Sequence, residues 1–244
     1  MEIMKFFTRR KSNLLKKAAF GSALLVVSAF AAFTPQAKAA VTEEKVTGKN
    51  DFTARHVFEK LHSSALEILP VSVRLDMLDY WDVDSVYKAS NVMEGLSWIE
   101  KVTPDYLKVR ITPVSTLEIK ILPAKKGDLA MTIYTVGDDV QAQDSQIKFY
   151  DEDLDLLNTN DYLVMPRVKD FFEIPKGSVT KMSEIESMIP FPTIAFMANP
   201  ENTNIEARLT VEQYINQDDW NIAKLFVKPY IILDWKKDKY KVEK

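Results

Sequence analysis

The fold is decided by residues 105–151, which read DYLKVRITPVSTLEIKILPAKKGDLAMTIYTVGDDVQAQDSQIKFYD. Apolar and polar residues alternate over four segments of this stretch, 106–112, 116–121, 129–133 and 146–150. Successive side chains of a β-strand point to opposite faces, so a period of two places one set in a core and the other in water. The alternation predicts an antiparallel β-meander with one face exposed to solvent.

The connections between these segments carry residues typical of tight turns. Pro113 and Ser115 lie in the first connection, and glycines lie in the next two. If the first hairpin closes tightly around residues 113–115, Arg110 lies opposite Glu118 on the solvent face. Opposite charges at such positions stabilise a cross-strand pair.

The N-terminus has the pattern of a signal peptide. Basic residues precede an apolar run at 18–33, and Ala37 and Ala39 offer the small residues of a cleavage site. We predict a signal peptide over 1–39, cleaved after Ala39, and therefore an exported protein that is periplasmic or associated with the envelope. A retained anchor is the open alternative, but the apolar run of 16 residues is shorter than the roughly 20 that span a membrane. Because the chain has no cysteine, it is not a lipoprotein.

Charge argues against a nucleic-acid partner. Residues 1–39 hold seven of the 32 basic and one of the 35 acidic residues, so the rest of the chain has a formal net charge of −9. Such a chain repels phosphate backbones at long range. The five glycines beyond residue 39 are not clustered, so we predict no phosphate-binding or dinucleotide-binding loop and no cofactor. Without disulfides, the exported chain must be stabilised by its core.

Helices are predicted before the meander. A flexible leader at 40–50 precedes a helix over 52–64, capped by Asp51, and a second helix over 72–81. The apolar stripe of the second helix is Val71, Leu75, Leu78 and Trp81. Strands are predicted on both sides of the meander, at 85–93, 96–102, 191–198, 205–211 and 230–235.

Two further helices are predicted between the meander and the last strands. Pro166 suits the first turn of a short helix that ends at Phe172. Ser183 and Glu186 have capping-box spacing at the start of the next helix, which Pro190 ends. The apolar stripe of that helix is Met182, Ile185, Met188 and Ile189.

This order of elements predicts an α+β fold. An antiparallel sheet follows N-terminal helices, and a second helix pair precedes the C-terminal strands. We expect one domain over 51–235, and its two helix-plus-sheet halves, 51–160 and 161–235, leave a duplication open. The charged tail at 236–244 is expected to fray.

No local motif nominates a catalytic residue or a metal site. The two histidines are six residues apart, whereas a helical metal-binding pair is spaced i, i+4. Asp151, Asp153 and Asp155 have the spacing of a calcium loop. Leu156 and Tyr162 replace the glycine and the glutamate that such a loop requires. A looser oxygen-ligand site in this acidic turn is the open alternative.

Trp220 is the aromatic residue best placed to contact a partner. It stands among polar residues, QDDWN at 217–221, and is expected to be exposed. Tryptophan side chains stack on sugars and anchor protein interfaces. Trp220 is therefore a candidate binding residue.

Three blocks of sequence resemble a known family. They are RLDMLDY at 74–80, TPDYL at 103–107 and STLEIKILP at 115–123, and a weaker block is IKFY at 147–150. In this order and spacing they resemble a family of exported bacterial proteins, domain of unknown function 3256. The resemblance covers about residues 57–235. It implies an envelope location and carries over neither an activity nor catalytic residues.

The polar residues of the first block are further candidates for binding. They are Arg74, Asp76 and Asp79, and the two aspartates are i, i+3 neighbours on the predicted helix. An ordinary solvent-exposed helix face is the alternative interpretation.

With no catalytic, metal or cofactor motif, the sequence favours a non-enzymatic binding or interaction module. Its expected partner is an envelope protein or a glycan, bound through the sheet face or its loops. The alternatives are a hydrolase of glycans or peptides that uses carboxylates, and a structural component of the envelope. Glycoside hydrolysis would require two carboxylates at a defined separation and one with a raised pKa.

Overall fold

The computed structural model describes residues 52–83, 85, 87–137 and 142–243. The predicted signal peptide, the leader and Asp51 lie outside these residues. The helices are α1 (Ala54–Lys60), α2 (Val71–Asp82), α3 (Thr159–Tyr162), α4 (Met182–Met188) and α5 (Gln217–Ala223), with 3-10 turns at Ser63–Ala65 and Val168–Phe171. No membrane-spanning helix is found among the described residues.

Eleven strands are found in the described residues. The first seven are β1 (Ala89–Ser90), β2 (Leu96–Val102), β3 (Tyr106–Thr112), β4 (Ser115–Leu122), β5 (Leu129–Val136), β6 (Asp144–Tyr150) and β7 (Leu156–Leu157). The last four are β8 (Ile194–Ala198), β9 (Ile205–Leu209), β10 (Ile231–Trp235) and β11 (Tyr240–Val242). The α+β prediction is confirmed, with the two antiparallel sheets described next.

The first sheet contains β1 to β7 in sequence order, and every neighbouring pair is antiparallel. The predicted meander is thus confirmed and is extended by a strand pair before it and one strand after it. The strand predicted over 85–93 is much shorter, because only Ala89 and Ser90 pair with β2.

The predicted register of the first hairpin is wrong. Thr112 pairs with Ser115, so the turn contains only two residues, and a bulge at Ile111 shifts the pairs beyond it. Glu118 therefore lies opposite Lys108 instead of Arg110. A bulge adds one residue to one strand, which moves every later pair along the partner.

Helices α1 and α2 cover one face of the first sheet. Their side chains Val57, Phe58, Met77 and Leu78 share a buried cluster with the apolar rows of β3 and β4. Thr53 caps α1, since its side chain accepts a hydrogen bond from the His56 N–H. The expected cap at Asp51 is therefore replaced by one two residues later.

The predicted apolar stripe of α2 is confirmed in its second half, where Leu78 is buried and Trp81 packs against the core, and is wrong in its first half. Val71 and Leu75 are exposed, whereas Arg74, Met77 and Leu78 are buried. The helix is rotated so that a charged residue faces the core, which apolar periodicity does not predict.

A second sheet covers the opposite face of the first sheet. It contains β8 to β11 in the order β11–β10–β9–β8. Apolar residues from both sheets, including Met131, Phe149, Phe196 and Leu233, share one core cluster. The expectation of a solvated sheet face is therefore wrong where the second sheet covers it.

The expected fraying of the C-terminal tail is not found in its described part, where Tyr240–Val242 form β11. Tyr240 in β11 is fully buried, pairs opposite Trp235 and donates a hydrogen bond from its hydroxyl to the Thr203 carbonyl (2.6 Å). Its ring packs on Trp235 and Phe149. Val242 in the same strand also packs against the core, so two apolar residues within the charged segment hold the strand.

Helix α4 is found close to its prediction. Its stripe is confirmed, with Ile185 and Ile189 buried and Met182 and Met188 packed beside them. The capping pair lies two residues earlier than expected, because the Glu184 carboxylate accepts from the Lys181 N–H (3.0 Å).

The outer strand of the second sheet, β8, contacts a face of the first sheet through its free edge. This strand has a strand neighbour on one side only, β9. On its other edge, the N–H groups of Ile194, Phe196 and Ala198 donate to Asp144 Oδ1 (3.3 Å), Ser145 Oγ (2.9 Å) and Glu118 Oε2 (2.7 Å), respectively. Side chains of β4 and β6 thus satisfy backbone donors that would be unpaired at a strand edge.

Candidate functional site

The edge-on junction of the two sheets forms a cleft of about 460 Å³. Its floor is the part of the first sheet that β8 leaves uncovered, and its wall is the outer face of β8 and β9. We call it the inter-sheet cleft, and its polar lining includes Lys108, Arg110, Thr116, Glu118, Gln143, Glu206 and Arg208.

Charged residues of β2, β3 and β4 build the floor. Arg110 Nε donates to Glu100 Oε1 at 3.0 Å, and Lys108 Nζ lies 3.2 Å from Glu118 Oε1 and 3.9 Å from Glu100 Oε2. They stand on one sheet face because Lys108 pairs with Glu118 across the β3–β4 ladder. The floor is therefore a row of alternating charges.

Glu118 is the most buried charged group of the floor, with 4% of its surface exposed. Burial raises the pKa of its carboxyl above the ordinary value, although Lys108 and the Ala198 N–H lower it in part. Burial and the nearby Glu118 charge also raise the pKa of the Tyr106 hydroxyl. Because both Glu118 oxygens accept hydrogen bonds or an ion pair, this residue ties the two sheets together.

Strand β9 supplies the wall. Its buried residues Ile205, Ala207 and Leu209 alternate with Glu206 and Arg208, which point to the cleft side. Arg208 Nη2 donates to Gln143 Oε1 at 3.0 Å. Within the described part of the chain, neither Arg208 nor Glu206 forms an ion pair.

Apolar residues form the rim of the cleft. Tyr230 precedes β10 and has 50% of its surface exposed, and Met197 on β8 is similarly exposed. Pro229 lies beside the tyrosine and limits the backbone conformations there. The rim thus presents an accessible aromatic ring next to polar groups.

None of the candidate binding residues from the sequence lies in this cleft. Arg74 is fully buried and donates from its two Nη atoms to the carbonyls of Phe58 and Leu61, while Asp76 and Asp79 are exposed on α2. Trp220 was expected to be exposed, but it is only 8% exposed and packs in the core from α5. The structure does not bring the four residues together, since α2 and α5 contribute to different core clusters.

Sequence reasoning missed the cleft residues because they carry no local motif. Lys108, Arg110 and Glu118 have the pattern of an ordinary solvated sheet face. Arg208 and Glu206 sit on a strand whose alternation was recognised, yet nothing in the sequence indicates that this face meets the first sheet. A site formed by two sheets can be predicted only when the position of one sheet relative to the other is known.

The acidic turn after β6 is held by hydrogen bonds within the turn. The Asp151 carboxylate accepts from the N–H groups of Asp153 and Asp155, at 3.1 and 2.9 Å, and so closes its own turn. Within the described ranges, no group of three or more His, Cys, Asp or Glu residues is placed to hold a metal ion.

Comparison with known proteins gives a family and a fold. Residues 49–240 match the family model described as "Protein of unknown function (DUF3256)". The chain is also similar to a solved structure, "Structure of a domain of an uncharacterized protein from Porphyromonas gingivalis W83". The identity is 19%, the TM-score is 0.64, and the match covers 78% of this chain and 96% of that one. No curated protein matches the chain. Because the family model spans most of its length, the chain belongs to the DUF3256 family of proteins of unknown function.

Proposed function

We propose that this protein is a binding module of the cell envelope and that it binds a glycan in the inter-sheet cleft. One observation carries the proposal. The cleft places hydrogen-bonding groups from both sheets, among them Thr116, Glu206 and Arg208, beside the accessible ring of Tyr230. Sugar hydroxyls require paired donors and acceptors, and the apolar face of a sugar ring packs on an aromatic side chain.

The location in the envelope rests on the N-terminal sequence. Basic residues, an apolar run and the small residues Ala37 and Ala39 form the pattern of an export signal. Glycans are abundant in that compartment, which makes them available ligands for an exported binding module.

The strand edge beside the cleft supports a glycan over an extended peptide. Peptides commonly bind by adding a strand to an open sheet edge. At this cleft the edge of β8 is occupied, because Phe196 and Ala198 donate to side chains of the first sheet. The remaining recognition groups are side chains, which suits hydroxyl-rich ligands.

The test is oligosaccharide binding to the full-length protein, purified after expression. A panel of soluble neutral and acidic oligosaccharides is titrated by calorimetry against the wild type, Tyr230→Ala and Tyr214→Ala. Tyr214 is an exposed tyrosine outside the cleft and serves as the matched control. Loss of one aromatic contact of about 0.5–1.5 kcal/mol predicts roughly two- to twelvefold weaker binding for Tyr230→Ala. Equal losses in both variants, or no binding of any oligosaccharide, would contradict the proposal.

A glycan hydrolase is the second candidate function. Two carboxylates, Glu118 and Glu206, line the same cleft, and burial raises the pKa of Glu118, as a general acid requires. Against it, both Glu118 oxygens are engaged by Lys108 and the Ala198 N–H, so a proton there is poorly placed for donation. Release of new reducing ends from the panel, abolished by Glu206→Gln, would favour the hydrolase.

A further inference from the structure

We propose that the glycan bound in the inter-sheet cleft carries a single carboxylate, as a uronic acid does, and that Arg110 and Arg208 bind it. This inference rests on the proposed function and specifies the ligand of the same site. It depends on the donors that the two guanidinium groups leave unused, on the charge balance of the cleft and on the placement of Glu206.

Both arginines have unused donors. Arg110 donates to Glu100 through Nε, and Arg208 donates to Gln143 through Nη2. Within the described residues, neither side chain makes a further hydrogen bond. The Nη1–Nη2 fork of Arg110 is therefore available, and Arg208, which uses one Nη2 hydrogen for Gln143, keeps one of its two forks, Nε–Nη2 or Nη1–Nη2. A planar guanidinium binds a carboxylate through two parallel hydrogen bonds, a geometry that a lysine does not offer.

The charge balance of the cleft permits an anion. Three basic side chains line it, Lys108, Arg110 and Arg208, and three carboxylates balance them, Glu118 and Glu206 in the lining and Glu100 in contact with Arg110 and Lys108. The chain beyond residue 39 has a formal net charge of −9, so the cleft is a locally neutral part of an acidic protein. An acidic ligand is repelled less in the cleft than by the surrounding surface.

The placement of Glu206 favours a ligand with one negative charge over a polyanion. It lies two residues from Arg208 on the same face of β9, and in the described part of the chain it has no ion-pair partner. A carboxylate accepts hydrogen bonds from sugar hydroxyls but repels a second negative charge. One acidic group together with several hydroxyls matches this arrangement better than a polyanion does.

The test compares a glucuronate-containing oligosaccharide with its carboxyl-reduced form, which differs only in that the acid is an alcohol. Calorimetry on the full-length protein is expected to show at least about tenfold tighter binding of the acidic form. Arg208→Ala and Arg110→Ala should each remove most of that preference. Arg167→Ala, an exposed arginine outside the cleft, should leave it unchanged. A sulfated oligosaccharide is the third ligand and separates carboxylate recognition from general attraction of anions.

A second variant gives a result that a loss of fold stability alone would not produce. Glu206→Gln removes the repelling charge, so we expect tighter binding of the acidic form and unchanged or weaker binding of the reduced form. Thermal unfolding of each variant verifies that it is folded. If Arg110→Ala does not fold, the test relies on Arg208→Ala, because Arg208 is exposed and its replacement is not expected to disturb the fold.

The outcomes separate the two proposals. Equal affinities for the acidic and reduced forms would overturn the carboxylate inference and leave glycan binding intact. Binding of neither form, nor of any other member of the panel, would overturn the proposed function itself. Tighter binding of the sulfated form would show that the cleft selects charge instead of a carboxylate, which also overturns the inference.

Discussion

At the scale of single residues, Arg74 is a buried cation that donates hydrogen bonds to backbone carbonyls. It is 0% exposed, and its Nη atoms donate to the carbonyls of Phe58 and Leu61 at the C-terminal end of α1. Within the described residues its Nε has no hydrogen-bond partner, and burial lowers the pKa of the guanidinium. The last carbonyls of a helix lack intrahelical donors, so Arg74 acts as a C-terminal cap from a different helix.

Replacing Arg74 is therefore expected to destabilise the fold. Arg74→Ala leaves two buried carbonyls unsatisfied and a space in the core, which together cost about 3 kcal/mol. Urea unfolding followed by circular dichroism measures the loss, with Arg167→Ala as the exposed control expected to change stability by less than about 0.5 kcal/mol. Similar stabilities of the two variants would show that the cap contributes little.

Single residues also mark where sequence reasoning stops. The charge of Arg74 predicts a solvent-exposed side chain. Its burial is explained only by the packing of α1 against α2, which supplies the carbonyls that accept its hydrogen bonds. Trp220 has polar neighbours at Asp218, Asp219 and Asn221, yet it is buried by α5. Only Trp220 and Ala223 of the seven residues in α5 are buried, three positions apart on one face of the helix, and most of the other residues are polar. The surrounding polarity thus conceals the buried side chain.

At the scale of elements, β11 closes the second sheet. Tyr240 fills the space beside Phe149 and Trp235, and its hydroxyl donates to the Thr203 carbonyl. Tyr240→Ala is expected to cost about 4 kcal/mol, the range for deleting a large buried aromatic side chain. Tyr240→Phe should cost only about 1 kcal/mol, the value of one hydrogen bond. Denaturant titration of both variants separates ring packing from hydrogen bonding, and an unchanged midpoint for Tyr240→Ala would mean that β11 is not part of the stable fold.

The elements also show which predictions a pattern supports. Strands β3 to β6 were predicted because their alternation is local and turn residues punctuate it. The pairing of Lys108 with Glu118 was missed because the turn is one residue shorter than expected and a bulge at Ile111 shifts the register by one more residue, and a bulge leaves no mark in the hydrophobic pattern. Alternation identifies the two faces of a strand but not what covers each of them.

At the scale of the whole molecule, Lys120 ties the first sheet to the β8–β9 turn. It is 1% exposed and donates to Asp105 Oδ2 at 2.7 Å and to the Pro200 carbonyl at 3.1 Å. Burial raises the pKa of Asp105, but hydrogen bonds from Lys120 and Thr103 outweigh it, so the pKa is lowered overall. A buried ammonium group depends on its carboxylate, because an unpaired buried charge is costly.

The lowered pKa gives this pair a defined pH dependence. Its stabilisation is present above the ordinary aspartate pKa of 3.8 and is lost as the pH falls through the lower pKa of the folded state. Asp105→Asn should therefore be less stable than the wild type at pH 7, by about 1–2 kcal/mol since Asp105 is half-exposed. The difference should shrink at pH 3, measured by urea unfolding at both values. Asp82→Asn, which breaks an exposed pair with Arg55, is the control. A difference that persists at pH 3 would rule out the ion pair as its cause.

The occupied edge of β8 has a consequence for the integrity of the chain. A fragment that begins after β7 would keep β8 but lose Glu118, Asp144 and Ser145, and with them every acceptor that its outer N–H groups now have. An uncovered strand of mostly apolar residues recruits copies of itself and seeds insoluble assemblies. We therefore expect a fragment that begins after β7, once separated from the first sheet, to aggregate under conditions in which the uncut chain stays dispersed.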